Sequence, residues 1–253
     1  MFTNAIVRTP CKNMINGLTS STEGAPDYLK AIIQHKMYVE ALKTCGLEIT
    51  PLPADDNYPD STFVEDVALL TPNYGIITRP GAHSRRRETI SIKRVLTDFY
   101  DDIEEIKSPG TVDAGDIMMV GSHYYIGLSK RTNTTGANQV IKILNKCRLT
   151  GSTVNMSAML HLKSGLSYLE NNNLVVTREF TDKPEFKKFN HIKIDDDEIY
   201  AANCVWINDY ILVAKGYPKA KQSIEQAGYK TIELDMSEFR KLDGGLSCLS
   251  LRF

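Results

Sequence analysis

The hydrophobic positions of this chain switch period repeatedly, from two to helical and back. Four segments set two apolar or β-branched runs around a turn rich in Asn, Gly or Asp: Val67 to Thr78, Ile117 to Ile126, Leu166 to Val176, and Cys204 to Val213. That is the pattern of a β-hairpin. The hairpins begin roughly 40 to 50 residues apart, the mark of a repeat architecture. Between them the spacing turns helical. Ile92, Val95, Leu96 and Phe99 fall at i, i+3, i+4 and i+7, as do Ala137, Val140, Ile141 and Leu144. Pro218 and Gly228 bracket a further helix over 218 to 227, and the stretch 183 to 190 is also read as helical. Short strands such as Thr231 to Asp235 follow, so each unit reads hairpin, helix, strand.

The N-terminal part fits the same unit with half a hairpin missing: a strand at Ala5 to Arg8, a helix from Asp27 to Cys45 ended by Gly46, and a strand at Leu47 to Pro51. A C-terminal strand, Ser247 to Arg252, supplies the missing half. The reading is therefore an α/β fold of five pseudo-repeats over a single domain, 1–253. Its ring closes by pairing of the N- and C-terminal strands, which removes exposed sheet edges. In such a ring, equivalent positions of each unit converge on the axis. The polar residues at or near the hairpin starts, Glu65, Asp66, Asp113, Asp116, His161 and Asn203, would then share one pocket with Cys248. Cys248 follows Gly244 and Gly245, which permit close backbone approach.

Composition narrows the function classes. With 253 residues, 42% of them hydrophobic, and a net charge of -1, the chain can bury a substantial core. Near-zero charge, with no basic run interleaved with aromatics, argues against a nucleic-acid partner. The first eight residues lack the apolar stretch of a signal peptide and no apolar run reaches about 18 residues, so no membrane partner is expected and the cytoplasm is the default location. Five cysteines, at 11, 45, 147, 204 and 248, show no paired spacing, so neither a disulfide framework nor a zinc site is indicated. Among the histidines, His35 lies on the apolar stripe of its helix and reads as a core or interface residue. His123 sits at a hairpin turn and reads as exposed, His83 lies in a loop, and His191 neighbours the acidic run 195–198. His161, at a hairpin entry, is the catalytic candidate.

Six ordered motifs carry a resemblance that spans the whole chain: Asp60-Ser-Thr-Phe-Val-Glu-Asp66, Arg79-Pro-Gly-Ala-His-Ser-Arg85, Gly110-Thr-Val-Asp-Ala-Gly-Asp116, Gly127-Leu-Ser-Lys-Arg-Thr-Asn133, Leu160-His-Leu-Lys-Ser-Gly165 and Asp243-Gly-Gly-Leu-Ser-Cys248. Together they closely resemble the dimethylarginine dimethylaminohydrolase family of the guanidino-group-modifying, or pentein, superfamily. The resemblance implies a five-bladed α/β propeller, in agreement with the unit count. It implies Cys248 as nucleophile, His161 as general acid and base, and Asp113 with Asp66 gripping a guanidinium, with Glu65 and Asp116 close by. A guanidinium offers a fan of donors that carboxylates accept in pairs. By motif, Arg85 and Arg131 are the candidates for the substrate's carboxylate. Asp60 and main-chain groups near Leu18 and Leu242 would take its α-amino group. The loop 17–24 reads as a lid.

The implied substrate is a small molecule, an Nω-methylated arginine, converted to citrulline without metal or organic cofactor. A homodimer is compatible with the sequence. Two rival readings stay open: an arginine deiminase, although those enzymes are typically longer and carry an inserted helical module, and a non-catalytic arginine-binding homologue.

Overall fold

The computed structural model describes residues 1–253. It contains five three-stranded sheets of the same order: a middle strand pairs antiparallel with its hairpin partner in four of them and with the C-terminal strand in the fifth, and parallel with a third strand that follows a helical connection. The chain groups into two compact units, one formed by Met1–Phe63 with Gly165–Phe253 and the other by Val64–Ser164.

The first unit holds three of the sheets. Strand β1 (Asn4–Arg8) leads through α1 (Tyr28–Thr44) to β2 (Glu48–Leu52), with Ala5 opposite Ile49 in parallel register. The C-terminal strand lies on the other side of β1, with Ala5 opposite Arg252. The N- and C-terminal strands therefore pair as the sequence predicts. The C-terminal strand is shorter than predicted, however, covering only Ser250–Arg252, because Ser247–Leu249 wind into a 3-10 turn. Asp27 caps α1 by accepting the N–H of Lys30 at 3.1 Å, and Gly46, at φ +89°, ends it in the left-handed conformation that suits glycine.

The remaining two sheets of this unit follow the hairpin pattern. In the first, β9 (Leu166–Tyr168) and β10 (Asn173–Val176) turn at Asn171 and Asn172, with φ of 59° and 63°, the backbone signature of a tight hairpin. Here the predicted helix over 183 to 190 does not form. A single helical turn, α5 (Arg178–Thr181), gives way to successive i+3 turns that reach β11 (Asn190–Lys193). Pro184 explains the difference, since it lacks an N–H and disfavours helical geometry at Lys183. The turns instead bury Phe180, Phe186 and Phe189 in edge and tilted contacts. In the other sheet, β12 (Val205–Ile207) and β13 (Tyr210–Ala214) are followed by α6 (Pro218–Gln226) and β14 (Lys230–Leu234). Pro218 opens α6, and the buried Glu198 accepts the N–H of Ala220 at 2.7 Å, satisfying a donor the first helical turn leaves unpaired.

The second unit carries two such sheets. One contains β3 (Ala68–Leu70), β4 (Gly75–Ile77), α2 (Thr89–Leu96) and β5 (Ile103–Glu105); the other contains β6 (Ile117–Val120), β7 (His123–Leu128), α3 (Thr134–Lys146) and β8 (Thr150–Asn155). The stripe on α2 buries Ile92 and Leu96, but the helix stops at Leu96 and leaves Phe99 beyond its end, 38% exposed. On α3, Ala137, Val140, Ile143 and Leu144 pack against Ile76, Ile117 and Ile126. Burying such side chains contributes about 1.5–3 kcal/mol each, which fixes the strands whose ends carry the polar residues below. His123, read as exposed, is half-buried, with hydroxyl partners Thr150 and Ser152 at 2.8 Å.

Candidate active site

In the Val64–Ser164 unit, the ends of the hairpins bring charged side chains together. The segment Val64–Val67 before β3 supplies Glu65 and Asp66, and Ala114–Asp116, a 3-10 turn before β6, supplies Asp116 and follows Asp113. His161 precedes the short helix α4 (Leu162–Gly165). Its Nε2 lies 3.2 Å from Oδ2 of Asp113, and Oδ1 of Asp113 accepts the N–H of Gly81 at 2.8 Å. Asp66 accepts the N–H of Gly115 at 3.0 Å through Oδ1 and the guanidinium of Arg85 at 2.5 Å through Oδ2. A Cβ on Gly115 would stand 2.7 Å from Oδ1 of Asp66 and 3.0 Å from Nδ1 of His161, so only glycine lets the backbone pass between these two groups.

The charges settle the protonation of the imidazole. Burial pushes His161 down, but Asp66, the hydrogen-bonded Asp113 and Asp116 outweigh it and raise its pKa to about 9. At neutral pH it is therefore an imidazolium, ready to give a proton. Burial likewise opposes ionisation of Asp113, yet His161, Arg85 and the Gly81 N–H hold its carboxyl below the usual range. Asp116 is different: burial dominates and pushes it up to about 6. The ligand atoms of Asp66, Asp113 and His161 lie within 4.8 Å of one another, a spacing that could hold a cation. Planar donors suit it as well, because each carboxylate already takes an N–H from a peptide.

Arg85 sits deeper than its predicted role suggests. Its guanidinium is buried between Asp66 and Glu88, reaching Glu88 through Nε at 3.1 Å and Nη2 at 2.9 Å. In this arrangement it orients Asp66. Arg131 is more accessible, at 21% side-chain exposure, with Nη1 3.8 Å from Oδ2 of Asp113. Glu65 pairs with Lys163 at 2.6 Å. Neither Glu88 nor Lys163 was singled out from the sequence. Glu88 had a local signal, an acidic residue three positions after Arg85, whereas Lys163 is 98 residues from Glu65 and had none.

The other unit carries Cys248. The thiol is half-buried on the 3-10 turn Ser247–Leu249, where Sγ accepts the N–H of Gly245 at 3.4 Å. Asn203 braces this turn, accepting the N–H of Ser247 and donating to its hydroxyl, both at 3.0 Å. A Cβ on Gly245 would stand 2.5 Å from Oδ1 of Asn203, which explains one of the two glycines. Asp60 accepts the N–H of Leu18 at 2.9 Å, so these two predicted residues are neighbours. Leu242 is buried, and its N–H is taken by the carbonyl of Phe239. The loop 17–24 is fastened in place: Thr19 donates to the carbonyl of Lys241 at 2.7 Å, the N–H of Ser20 donates to Asp243 at 2.6 Å, and Glu23 pairs with Arg240 at 2.6 Å.

The chain is similar over its whole length to known proteins. Residues 30–211 match the family model described as arginine deiminase. The chain is 54% identical, over 100% of both chains, to the N(G),N(G)-dimethylarginine dimethylaminohydrolase of Pseudomonas aeruginosa. A solved structure of a cysteine-to-serine variant of that enzyme, complexed with citrulline, superposes with a TM-score of 0.99 at 54% identity and full coverage of both chains. A dimethylarginine dimethylaminohydrolase with a histidine-to-glycine change, as an adduct with S-methyl-L-thiocitrulline, also gives 0.99 with 54% identity and full coverage. The five three-stranded sheets are the blades of a five-bladed α/β propeller. A hairpin-helix-strand repeat, a buried carboxylate–histidine cluster and a full-length likeness of this degree lead to one assignment: the chain belongs to the dimethylarginine dimethylaminohydrolase family.

Proposed function

We propose that this chain hydrolyses Nω-methylated arginines, asymmetric dimethylarginine and monomethylarginine, to citrulline and dimethylamine or methylamine. The observation that carries this reading is His161 set 3.2 Å from Asp113 and beside Asp66, carboxylates that raise its pKa to about 9 and can also accept from a guanidinium. The relatives' cysteine and histidine variants, caught with citrulline and with a thiocitrulline adduct, support the same pair of roles here.

Asp66 and Asp113 accept N–H groups of the substrate guanidinium, with Glu65 close to them. The Cys248 thiolate attacks the guanidinium carbon, forming a C–S bond. His161 gives its proton to the amine as the C–N bond breaks, leaving an S-alkylthiouronium. His161, now neutral, takes a proton from water as the water oxygen adds to the same carbon. Collapse breaks the C–S bond and the hydroxyl proton passes to solvent, where the released amine takes it up, giving citrulline, the alkylammonium and the thiolate. The reaction balances without a metal or organic cofactor. Arg131 and Arg85 are the candidates for the α-carboxylate; Asp60 and the main chain at Leu18 and Leu242 are those for the α-amino group. The same reading takes 1–253 as one catalytic domain.

The arginine deiminase model match keeps a second reading in view, one that releases ammonia instead of an alkylamine. Measuring kcat/KM for asymmetric dimethylarginine, monomethylarginine, symmetric dimethylarginine and arginine separates the two. The two compounds methylated on one terminal nitrogen should react and the symmetric isomer should not, because it loses a donor from the edge the carboxylates grip. A preference for unmethylated arginine would move the chain to the deiminases, and no turnover at all would favour a binding protein.

The working location is proposed to be the cytoplasm: none of the five cysteines forms a disulfide, and no helix is long and apolar enough to cross a membrane. A homodimer would bury the exposed row Leu29, Ile33 and Met37 on α1. Sedimentation of Met37→Glu tests this, and an unchanged oligomeric state would remove α1 from consideration.

A further inference from the structure

Asp116 has no step in the chemistry above, yet it is fully buried and both of its oxygens are engaged. Oδ1 accepts the N–H of Leu162 at 3.0 Å, the peptide directly after His161. Oδ2 accepts the hydroxyl of Ser129 at 2.7 Å. The Ser129 oxygen in turn accepts the N–H of Arg131 at 2.9 Å and that of Thr132 at 3.1 Å, and the Ser129 N–H donates to the carbonyl of Thr132 at 3.0 Å. Thr132 extends the chain of bonds by accepting the N–H of Asp113 at 3.1 Å through its hydroxyl. One carboxylate thus ties the peptide that carries His161 to the loop that carries Arg131 and, through Thr132, to the backbone of Asp113. Thr132, Asp113 and Asp116 are all inaccessible to solvent, so these bonds act where the dielectric is low and geometry is held tightly.

We propose that Asp116 is the positioning residue that sets the distance between the proton-transfer end of the site, at His161, and the end that grips the substrate's α-carboxylate, at Arg131. This deepens the function proposed above and rests on it. With both arms fastened to one carboxylate, the length of chain between a substrate's guanidinium and its carboxylate is measured between them. Ser129 transmits to the Arg131 arm, and Leu162 to the His161 arm. A shift of about 1 Å in either arm is enough to cost rate on the order of a hundredfold.

The two arms can be released separately. Ser129→Ala frees the N–H groups of Arg131 and Thr132 and leaves the Leu162 bond in place. It should raise KM for monomethylarginine by about tenfold with kcat nearly unchanged. The same variant should leave kcat/KM unchanged for N-methyl-N′-propylguanidine, which has no α-carboxylate to place. Asp116→Asn should lower kcat by about a hundredfold. It should also move the His161 titration, followed by NMR, to lower pH, because Asp66, Asp113 and Asp116 face the imidazole and one charge is removed. Asp116→Glu keeps the charge and changes the reach, so it should preserve the titration while kcat and KM both worsen.

An equal KM rise for both substrates in Ser129→Ala would overturn the proposal, and so would unchanged kcat in a folded Asp116→Asn. If Asp116→Asn does not fold, the substrate comparison in Ser129→Ala still decides. If the wild-type chain turns over no methylarginine, it is the functional reading that fails. The Asp116 role is then judged from the His161 titration, where an unmoved midpoint in Asp116→Asn removes it.

Discussion

His161 and Asp113 meet at 3.2 Å, Nε2 to Oδ2, and the second oxygen of Asp113 is held by the Gly81 N–H at 2.8 Å. The carboxylate is therefore fixed before any substrate arrives, and the imidazole is fixed by the carboxylate. The pKa of about 9 at His161 predicts that kcat/KM falls as pH rises through that value, since the proton needed by the departing amine is then lost. Asp113→Asn should bring that alkaline limb down in pH. His161→Gly should cut the rate steeply while leaving ligand binding, and should let the thiouronium adduct accumulate when its hydrolysis becomes limiting. A pH profile of His161→Gly with wild-type rates between pH 6 and 9 would assign proton transfer to another group.

Cys248→Ser should abolish turnover and leave the fold and ligand binding intact, because a hydroxyl fits the same turn and its Oγ can accept from the Gly245 N–H. Mass spectrometry of quenched wild-type enzyme should find the substrate-derived adduct on Cys248. An adduct on Cys11, Cys45, Cys147 or Cys204 would overturn the assignment.

The buried pair of Asp66 with Arg85 makes a prediction about stability as well as rate. Asp66→Asn removes one buried carboxylate from the Arg85 guanidinium while the Glu88 pair stays, a change that should cost about 3–5 kcal/mol of stability. Substrate binding and turnover should fall together, since the same carboxylate is proposed to take the guanidinium of the substrate. Arg85→Lys tests the fork: an ammonium cannot make the two-point contact with Glu88, so Tm should drop even though the charge is kept. An unchanged Tm in both variants would show that this pair does not organise the site.

His35 supplies a pH dependence of the opposite sign to that of His161. It is buried on α1, its Nε2 makes no hydrogen bond, and burial lowers its pKa to about 4 against the pull of the Arg8 carbonyl. The unfolded chain binds more protons than the folded one between about pH 6.5 and 4, so this stability is present above that window and lost as pH falls through it, by at most about 3 kcal/mol. His161, raised by its carboxylates, contributes stability present below about pH 6.5 and lost as pH rises toward 9. Urea unfolding of His35→Leu between pH 4 and 7 should show a flattened acid limb. A limb as steep as that of the wild type would place the acid sensitivity at other groups.

Most of the blade pattern could be read from the sequence because its signals are local. The hairpin turns announce themselves in Asn171-Asn172 and Gly121, and α1 in Asp27 and Gly46. The fourth blade misled because Phe186 and Phe189 have the spacing of a buried helix face, while Pro184 shifts them into turns. The C-terminal strand was overextended because Ser247, Cys248 and Leu249 look like a continuation of it. Asn203, 44 residues away, braces them in a 3-10 turn instead. Within the Val64–Ser164 unit the structure sets Asp66 beside both Arg85 and the His161–Asp113 pair, residues the sequence motifs had singled out. What they do to one another was hidden: that Arg85 is seated against Glu88 and Asp66, and that Lys163 answers Glu65, depends on contacts made only after folding.

The antiparallel pairing of β1 with β15 (Ser250–Arg252) also bears on how the chain acquires activity during synthesis. Strand β1 leaves the ribosome first among the strands and must wait for the last one before its sheet is complete. The turn that bears the thiol is made in the same final stretch. The Val64–Ser164 unit can assemble its carboxylates and imidazole while the nascent chain is still tethered, because Asp66, Asp113, Asp116 and His161 lie in one continuous segment. A growing chain of this design would hold its charged cluster early and the thiol proposed as its nucleophile last, which keeps that cysteine out of play until the surrounding backbone is ready to seat it.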